Sequence, residues 1–321
     1  MFHYDNGLKI TRAGLGVDVR RRQQRGFVSH AHADHMARHE WAYATPATAA
    51  LYRHRLGPKL AVREMPYRKP LELGSVELTT YPAGHCLGSA MLLADDGQER
   101  LLYTGDFKLG ESLTAEAAEL PTADVLVMET TFGSPRYRMP PREVVIEQLL
   151  EVIHTAFAEG KTPVVHAYAL GKSQEVTAIL ARHGLAVLQH RDIAAISQVY
   201  ETQGASLGNY ATYSGHPPAE HVVVTLPRSM KGFRLAGLGS VVSIGVTGWA
   251  IHPSTQHRLG VDVALPLSDH ADFDELLEVA RRVEPRRIYT THGPPGFDQH
   301  LREAGFDAVP LVPDRQRRLF A

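Results

Sequence analysis

Three histidines and an aspartate fall within six residues, in the run Ser29-His30-Ala31-His32-Ala33-Asp34-His35. Packing alone gives little reason to gather imidazoles so densely. Histidine suits a borderline-soft cation such as zinc, and aspartate adds a charged oxygen. The run follows a short apolar step, Gly26-Phe27-Val28. In an extended segment alternate side chains share a face, so His30 and His32 can converge on one ion. If the chain then turns into a helix, Asp34 and His35 swing to the other side, within reach of a second ion.

Further titratable residues recur directly after segments with strand character. The stretch from Leu8 to Val19, broken by Gly14 and Gly16, reads as strands or a hairpin ending near Asp18. Pro46 to Leu56 reads as a helix stopped by Gly57-Pro58. Leu71 to Tyr81 reads as paired strands about Gly74, leading to His85. Met91–Leu93 and Leu101–Tyr103 flank an Asp95-Asp96-Gly97 turn, and the second strand runs into Thr104-Gly105-Asp106. The apolar Val125–Met128 delivers Glu129. Polar groups at successive strand ends point to one site assembled on loops of a rigid frame.

The pattern changes after Phe132-Gly133. Pro140-Pro141 opens an amphipathic helix carrying Val145, Leu149, Val152, Ile153 and Ala156. Strands at Val164-Val165, Ala186–Leu188 and Val222–Val224 alternate with helices, which predicts a small parallel α/β layer. A strand is expected from Val241 to Ile251. The earlier style then returns: Val263–Leu265 leads to Ser268-Asp269-His270-Ala271-Asp272, a helix follows, and Ile288–Thr290 delivers His292. The middle section therefore reads as an insertion, with residues 1–131 and 268–321 forming one domain and 132–267 the other.

Composition narrows the class. The 321 residues are 44% hydrophobic and 21% charged, as in ordinary globular proteins, and no apolar run would span a bilayer. The first residues lack the pattern of a signal peptide. The single cysteine, Cys86, excludes an internal disulfide, and a reducing cytoplasm is the natural compartment. With net charge −1, a polyanion would have to meet a local patch such as Arg20-Arg21-Arg22 with Arg25. Gly171-Lys172-Ser173 lacks the upstream glycine of a phosphate loop, His166 standing there, though a helix start with Lys172 and Ser173 could hold a backbone phosphate.

Taken in order, His30-x-His32-x-Asp34-His35, His85 and Asp106 resemble the ligand series of the metallo-β-lactamase fold. Glu129-Thr130-Thr131-Phe132-Gly133, Ala169-Leu170-Gly171-Lys172-Ser173-Gln174-Glu175, Ser268-Asp269-His270-Ala271-Asp272 and Thr291-His292-Gly293 are similar to signatures of the β-CASP nucleases. The short form most resembles bacterial exonucleases of the DNA-ligase-associated and messenger-RNA 3′-end-processing kinds. The resemblance implies an α/β protein, an αββα metallo-β-lactamase sandwich with an inserted, reduced α/β β-CASP cap. It implies a cytoplasmic nuclease, exonucleolytic on DNA or RNA, with nucleic acid as partner, no membrane, and functional association with a DNA ligase or helicase.

Residue by residue, the resemblance implies that His30, His32 and His85 hold one zinc and that Asp34, His35 and His292 hold the other. Asp106 bridges them, and Asp18 orients a ligand imidazole from behind. Manganese could serve at the same donors. The resemblance further implies Asp34, Glu129 and His270 as catalytic residues, with Glu129 and His270 as an acid pair. Two cations about 3.5–4 Å apart can share a hydroxide and neutralise a phosphate oxygen, while His270 protonates the departing sugar oxygen. A hydrolase of a small ester, lactone or lactam on the same centre is the alternative, and a metal-free nucleic-acid-binding protein is a second.

Overall fold

The computed structural model describes residues 1–5, 7–229 and 235–312. The chain divides into two compact units. The first comprises Met1–Glu111, Ala115–Arg138 and His270–Ala321; the second comprises Ser112–Thr114 and Met139–Asp269. Parts of both expected domains, 230–234 and 313–321, lie outside the described residues.

The first unit holds two mixed sheets. One runs in the order Phe2–Tyr4, Leu8–Ile10, Leu15–Val17, Arg25–Phe27, Trp41–Ala44, Val62–Glu64. The other runs Ala308–Pro310, Arg287–Thr291, Val125–Glu129, Arg100–Tyr103, Ala90–Asp95, Val76–Pro82, Leu71–Leu73. The period of two along a strand decides what lies between the layers. Leu101, Tyr103, Val125 and Val127 join Ile10, Leu15, Val17 and Phe27 in a core between the sheets. Their neighbours Leu102, Leu126 and Met128 point the opposite way. They pack against Phe273, Leu276, Val279 and Val283 of helix Phe273–Val283 and against Phe297 and Leu301 of helix Phe297–Glu303.

Helix Pro46–Leu56 contacts the first sheet through strands Trp41–Ala44 and Val62–Glu64 and buries Ala49, Leu51 and Tyr52. Thr45 caps it, its hydroxyl accepting from the Thr48 N–H. The layers are therefore helix, sheet, sheet, helix.

The second unit is a parallel sheet in the order Tyr210–Thr212, Ala186–Gln189, His221–Thr225, Thr162–His166, Val241–Val246, Val263–Leu265. Every pairing in it is parallel. Helix Arg142–Ala158 buries Val145, Leu149, Ile153 and Ala156, one stripe at helical spacing, and helices Lys172–Arg182 and Arg191–Thr202 complete the core. The strand expected to reach Ile251 stops at Val246. There the Thr247 side chain accepts from the Trp249 N–H and the chain closes into a short 3-10 helix, Gly248–Ile251. A local side-chain bond of this kind competes with the sheet ladder.

Candidate metal centre

The histidine run leaves strand Arg25–Phe27 as a turn, without a helix after it: the His35 N–H donates to the His32 carbonyl at 3.2 Å. This turn, rather than a helix, separates the two halves of the motif. His85 follows strand Val76–Pro82, and its N–H donates to Ser89 Oγ at 3.1 Å. Asp106 follows strand Arg100–Tyr103 across Gly105. Gly105 has φ +56°, and a Cβ there would lie 2.8 Å from Cβ and Oγ of Ser29, so the two loops meet only because the residue has no side chain.

His30, His32, His85 and Asp106 each offer a ligand atom, and these atoms lie within 4.8 Å of one another. His32 Nδ1 is 3.1 Å from His30 Nε2 and 3.1 Å from His85 Nε2, and His30 Nε2 is 3.5 Å from Asp106 Oδ2. Four ligands about 2.0–2.1 Å from a tetrahedral ion stand roughly 3.3 Å apart, so the set fits one cation. On the other side of the same oxygen, His35 Nε2 is 3.3 Å from Asp106 Oδ2 and 3.8 Å from Asp34 Oδ2. The His292 ring centroid is 5.0 Å from that of His35. Asp34 is exposed, its side chain at 53% and 3.8 Å from Arg20 Nη2. Asp106 Oδ2 thus lies within 3.5 Å of both His30 Nε2 and His35 Nε2.

Charge in the cluster is arranged around Asp106. Burial works against its ionised form, but His35 and His30 outweigh burial and hold its carboxyl well below the usual range. His30 is pushed well below the ordinary histidine value by burial and by His35, which favours its neutral ring. Burial also opposes charge on His35, yet Asp106 and Asp18 overcome it and raise its pKa well above the ordinary value.

Behind the donors stands Asp18. Its Oδ2 accepts from His35 Nδ1 at 2.8 Å, from Tyr103 OH at 2.9 Å and from Ser29 Oγ at 2.5 Å; its Oδ1 accepts from the Ser29 N–H at 2.8 Å. Ser29 Oγ is also 3.0 Å from His30 Nδ1. One carboxylate thus orients His35 directly and His30 through a hydroxyl. Ser29 and Tyr103 are positioning residues that the sequence reading missed. Their signal was adjacency, Ser29 preceding the first histidine and Tyr103 standing three residues before Asp106.

Glu129 is buried at the end of strand Val125–Glu129. Its Oε1 accepts from the Phe107 N–H and from His270 Nδ1, each at 2.9 Å, and its Oε2 accepts from the Thr131 N–H at 3.2 Å. Asp106, Glu129 and His270 also offer ligand atoms within 4.8 Å of one another, and the His270 ring lies 4.6 Å from that of His85. His292 sits at φ +49°, its carbonyl accepting from Thr131 Oγ1 at 3.2 Å, and a Cβ on Gly293 would fall 2.0 Å from the Thr130 carbonyl oxygen. The Glu129 and His292 loops are thereby locked together.

Lys172 and Ser173 belong to the second unit and are bonded within it. In the second unit Lys172 is buried, its Nζ donating to the Leu267 carbonyl at 2.7 Å and lying 3.1 Å from Asp269 Oδ1. Ser173 Oγ donates to the Tyr168 carbonyl at 2.7 Å, and the Gly171 N–H donates to Gln174 Oε1 at 2.8 Å. The donors expected to hold a phosphate are spent inside the fold, where they hold the helix start.

An αββα sandwich with a His/Asp cluster at its strand ends defines the class of metallo-hydrolases built on this scaffold. A beta-lactamase superfamily domain matches residues 26–170, and a Zn-dependent metallo-hydrolase RNA specificity domain matches residues 260–310. The chain is 37% identical over 319 residues to a "Probable DNA ligase" of Opitutus terrae, across 98% of this chain and 31% of that protein. It is 32% identical over 151 residues to cleavage and polyadenylation specificity factor subunit 3-I of Arabidopsis thaliana, covering 46% of this chain and 21% of the relative. It is 30% identical over 177 residues to an RNase J-like protein of Methanocaldococcus jannaschii, covering 48% and 42%. The chain spans less than half the length of each of these relatives. Both family matches are to metallo-hydrolases of the metallo-β-lactamase kind, and the chain is similar to that superfamily's β-CASP members. Among the described residues, no helix is long and apolar enough to cross a membrane.

Proposed function

We propose that the chain is a zinc-dependent phosphodiesterase that shortens DNA or RNA strands from an end. His30, His32 and His85 would hold one ion, Asp34, His35 and His292 the other, with Asp106 shared. The ions supply Lewis acidity toward a phosphate oxygen and a water made acidic enough to attack near neutral pH. Asp18 fixes the tautomer of His35 by taking its Nδ1 proton in a hydrogen bond, which turns Nε2 toward Asp106. His270 does the same on the other flank: Nδ1 is held by Glu129, so Nε2 is left to give a proton to the departing sugar oxygen. Residues 132–267 would be the reduced cap of the β-CASP type. Association with a DNA ligase has the Opitutus relative's name as its support.

The observation that carries this reading is the pairing of buried Glu129 with half-buried His270 at 2.9 Å, whose ligand atoms lie within 4.8 Å of Asp106. Hydrolysis of a small ester, lactone or lactam has no need of an acid there. The test is an assay of the full chain on end-labelled single strands and on small esters. Stepwise shortening abolished by a chelator, and lost in His270→Ala with metal retained, is the expected result. Ester turnover without any strand cleavage would replace the nuclease reading with the small-molecule one.

A further inference from the structure

The second unit contains a cavity of about 450 Å³ whose described lining residues all belong to that unit. It lies at the carboxyl ends of three adjacent strands, His221–Thr225, Thr162–His166 and Val241–Val246. From Thr162–His166 the chain builds outward on one side through Ala186–Gln189 and Tyr210–Thr212. It returns through His221–Thr225 and then crosses to Val241–Val246 on the other side. Open parallel sheets bind ligands at such a reversal of strand order, outside the carboxyl ends. The volume falls within the range of about 300–1,000 Å³ usual for small-molecule sites.

The lining has one sign of charge. Arg228 and Arg258 face the cavity, and among the described residues no aspartate or glutamate does. Among the described residues neither arginine makes an ion pair; Arg228 donates to the Gly260 carbonyl and Arg258 to Thr255 Oγ1 at 3.4 Å. Two large aromatic side chains at the rim are exposed, Tyr168 at 52% and Trp249 at 37%. Trp249 is held from behind, its carbonyl accepting from Thr255 Oγ1 at 2.6 Å. On the cavity wall His166 Nδ1 is 2.9 Å from the Leu226 carbonyl. Arginines bind phosphate bidentately, and aromatic faces stack bases for about 1–3 kcal/mol each.

We propose that this cavity is a binding site for a nucleoside phosphate, with the base against Trp249 and Tyr168 and the phosphate taken by Arg228 and Arg258. It uses none of the residues gathered round Asp106 and does not depend on the nuclease reading. The ligand is a free nucleotide or one unit of a strand; both share this chemistry.

The chain has two tryptophans, so the full chain carrying Trp41→Phe leaves Trp249 as its single indole. Adenosine 5′-monophosphate should change the Trp249 emission saturably, with adenosine and inorganic phosphate each at least tenfold weaker. Arg258→Ala should raise Kd for the nucleotide at least tenfold and leave that for adenosine unchanged. Tyr168→Ala, at an exposed side chain, should weaken both. A single-stranded hexanucleotide binding at least tenfold tighter than the mononucleotide identifies a strand as the source; equal or weaker binding identifies the free nucleotide. No emission change at millimolar nucleotide, or the same Kd in Arg258→Ala and Tyr168→Ala as in the parent, overturns the proposal. The readout is binding at Trp249, so its failure is distinct from a failure to cut strands.

Discussion

Asp18 and His35, seventeen positions apart in the chain, are joined by a 2.8 Å hydrogen bond in which the carboxylate accepts from Nδ1, and both side chains are almost fully buried. The bond decides which imidazole nitrogen faces Asp106. Asp18→Asn keeps the shape but offers a weaker acceptor to Nδ1. Loss of such a partner typically costs about 10–100-fold in metal affinity. Competition with a chromophoric chelator should show a drop of that size, with the far-ultraviolet circular dichroism unchanged.

Gly105 tests the backbone that delivers Asp106. Its φ of +56° and the 2.8 Å approach to Ser29 leave no room for a methyl group. Gly105→Ala combines left-handed strain with overpacking, a destabilisation of about 2–4 kcal/mol. Urea denaturation should report it as a lower midpoint. An unchanged midpoint would mean that the two loops move apart freely.

Much of this architecture was legible from patterning. The unbroken apolar runs Leu101–Tyr103 and Val125–Met128 mark strands covered on both faces, and a titratable residue after each marks a shared site. Ser29 and Tyr103 were not legible, because a hydroxyl becomes a positioning group only through a partner that folding brings near. Nor was the end of the strand at Val246, since Val241 to Ile251 is mostly apolar and one Thr247 hydrogen bond ends it. Lys172 misled for a related reason. A lysine at a helix start reads as a phosphate ligand, whereas Leu267 and Asp269, almost a hundred residues away, take its ammonium.

That burial makes Lys172 a stability residue. Lys172→Met leaves the Leu267 carbonyl and Asp269 without their cation, and breaking a buried pair costs about 3–5 kcal/mol. Thermal unfolding should register this loss. The salt dependence of nucleic-acid binding should keep its slope, whereas a lost phosphate contact would lower that slope by about 0.7–0.9.

Glu175 gives the second unit a pH dependence. Burial raises its pKa, but Arg142, the Ser112 and Thr114 hydroxyls and the Leu113 N–H outweigh burial and hold it below the ordinary value. A depressed carboxylate stabilises the fold above its unfolded pKa of about 4.3 and loses that contribution as pH falls through the lower folded value. Glu175→Gln should therefore be less stable than the parent by about 3 kcal/mol at pH 7, with the gap closing as the solution is acidified below about pH 4. A gap constant with pH would remove the carboxylate's charge from the account.

The central claim is that Asp106 stands between two cations. Anomalous diffraction at the zinc edge from zinc-soaked crystals tests it directly. Two peaks roughly 3.5–4 Å apart are expected, one within bonding distance of His30, His32 and His85, the other of Asp34, His35 and His292, both touching Asp106. A single peak, or peaks that leave Asp106 uncoordinated, would contradict it.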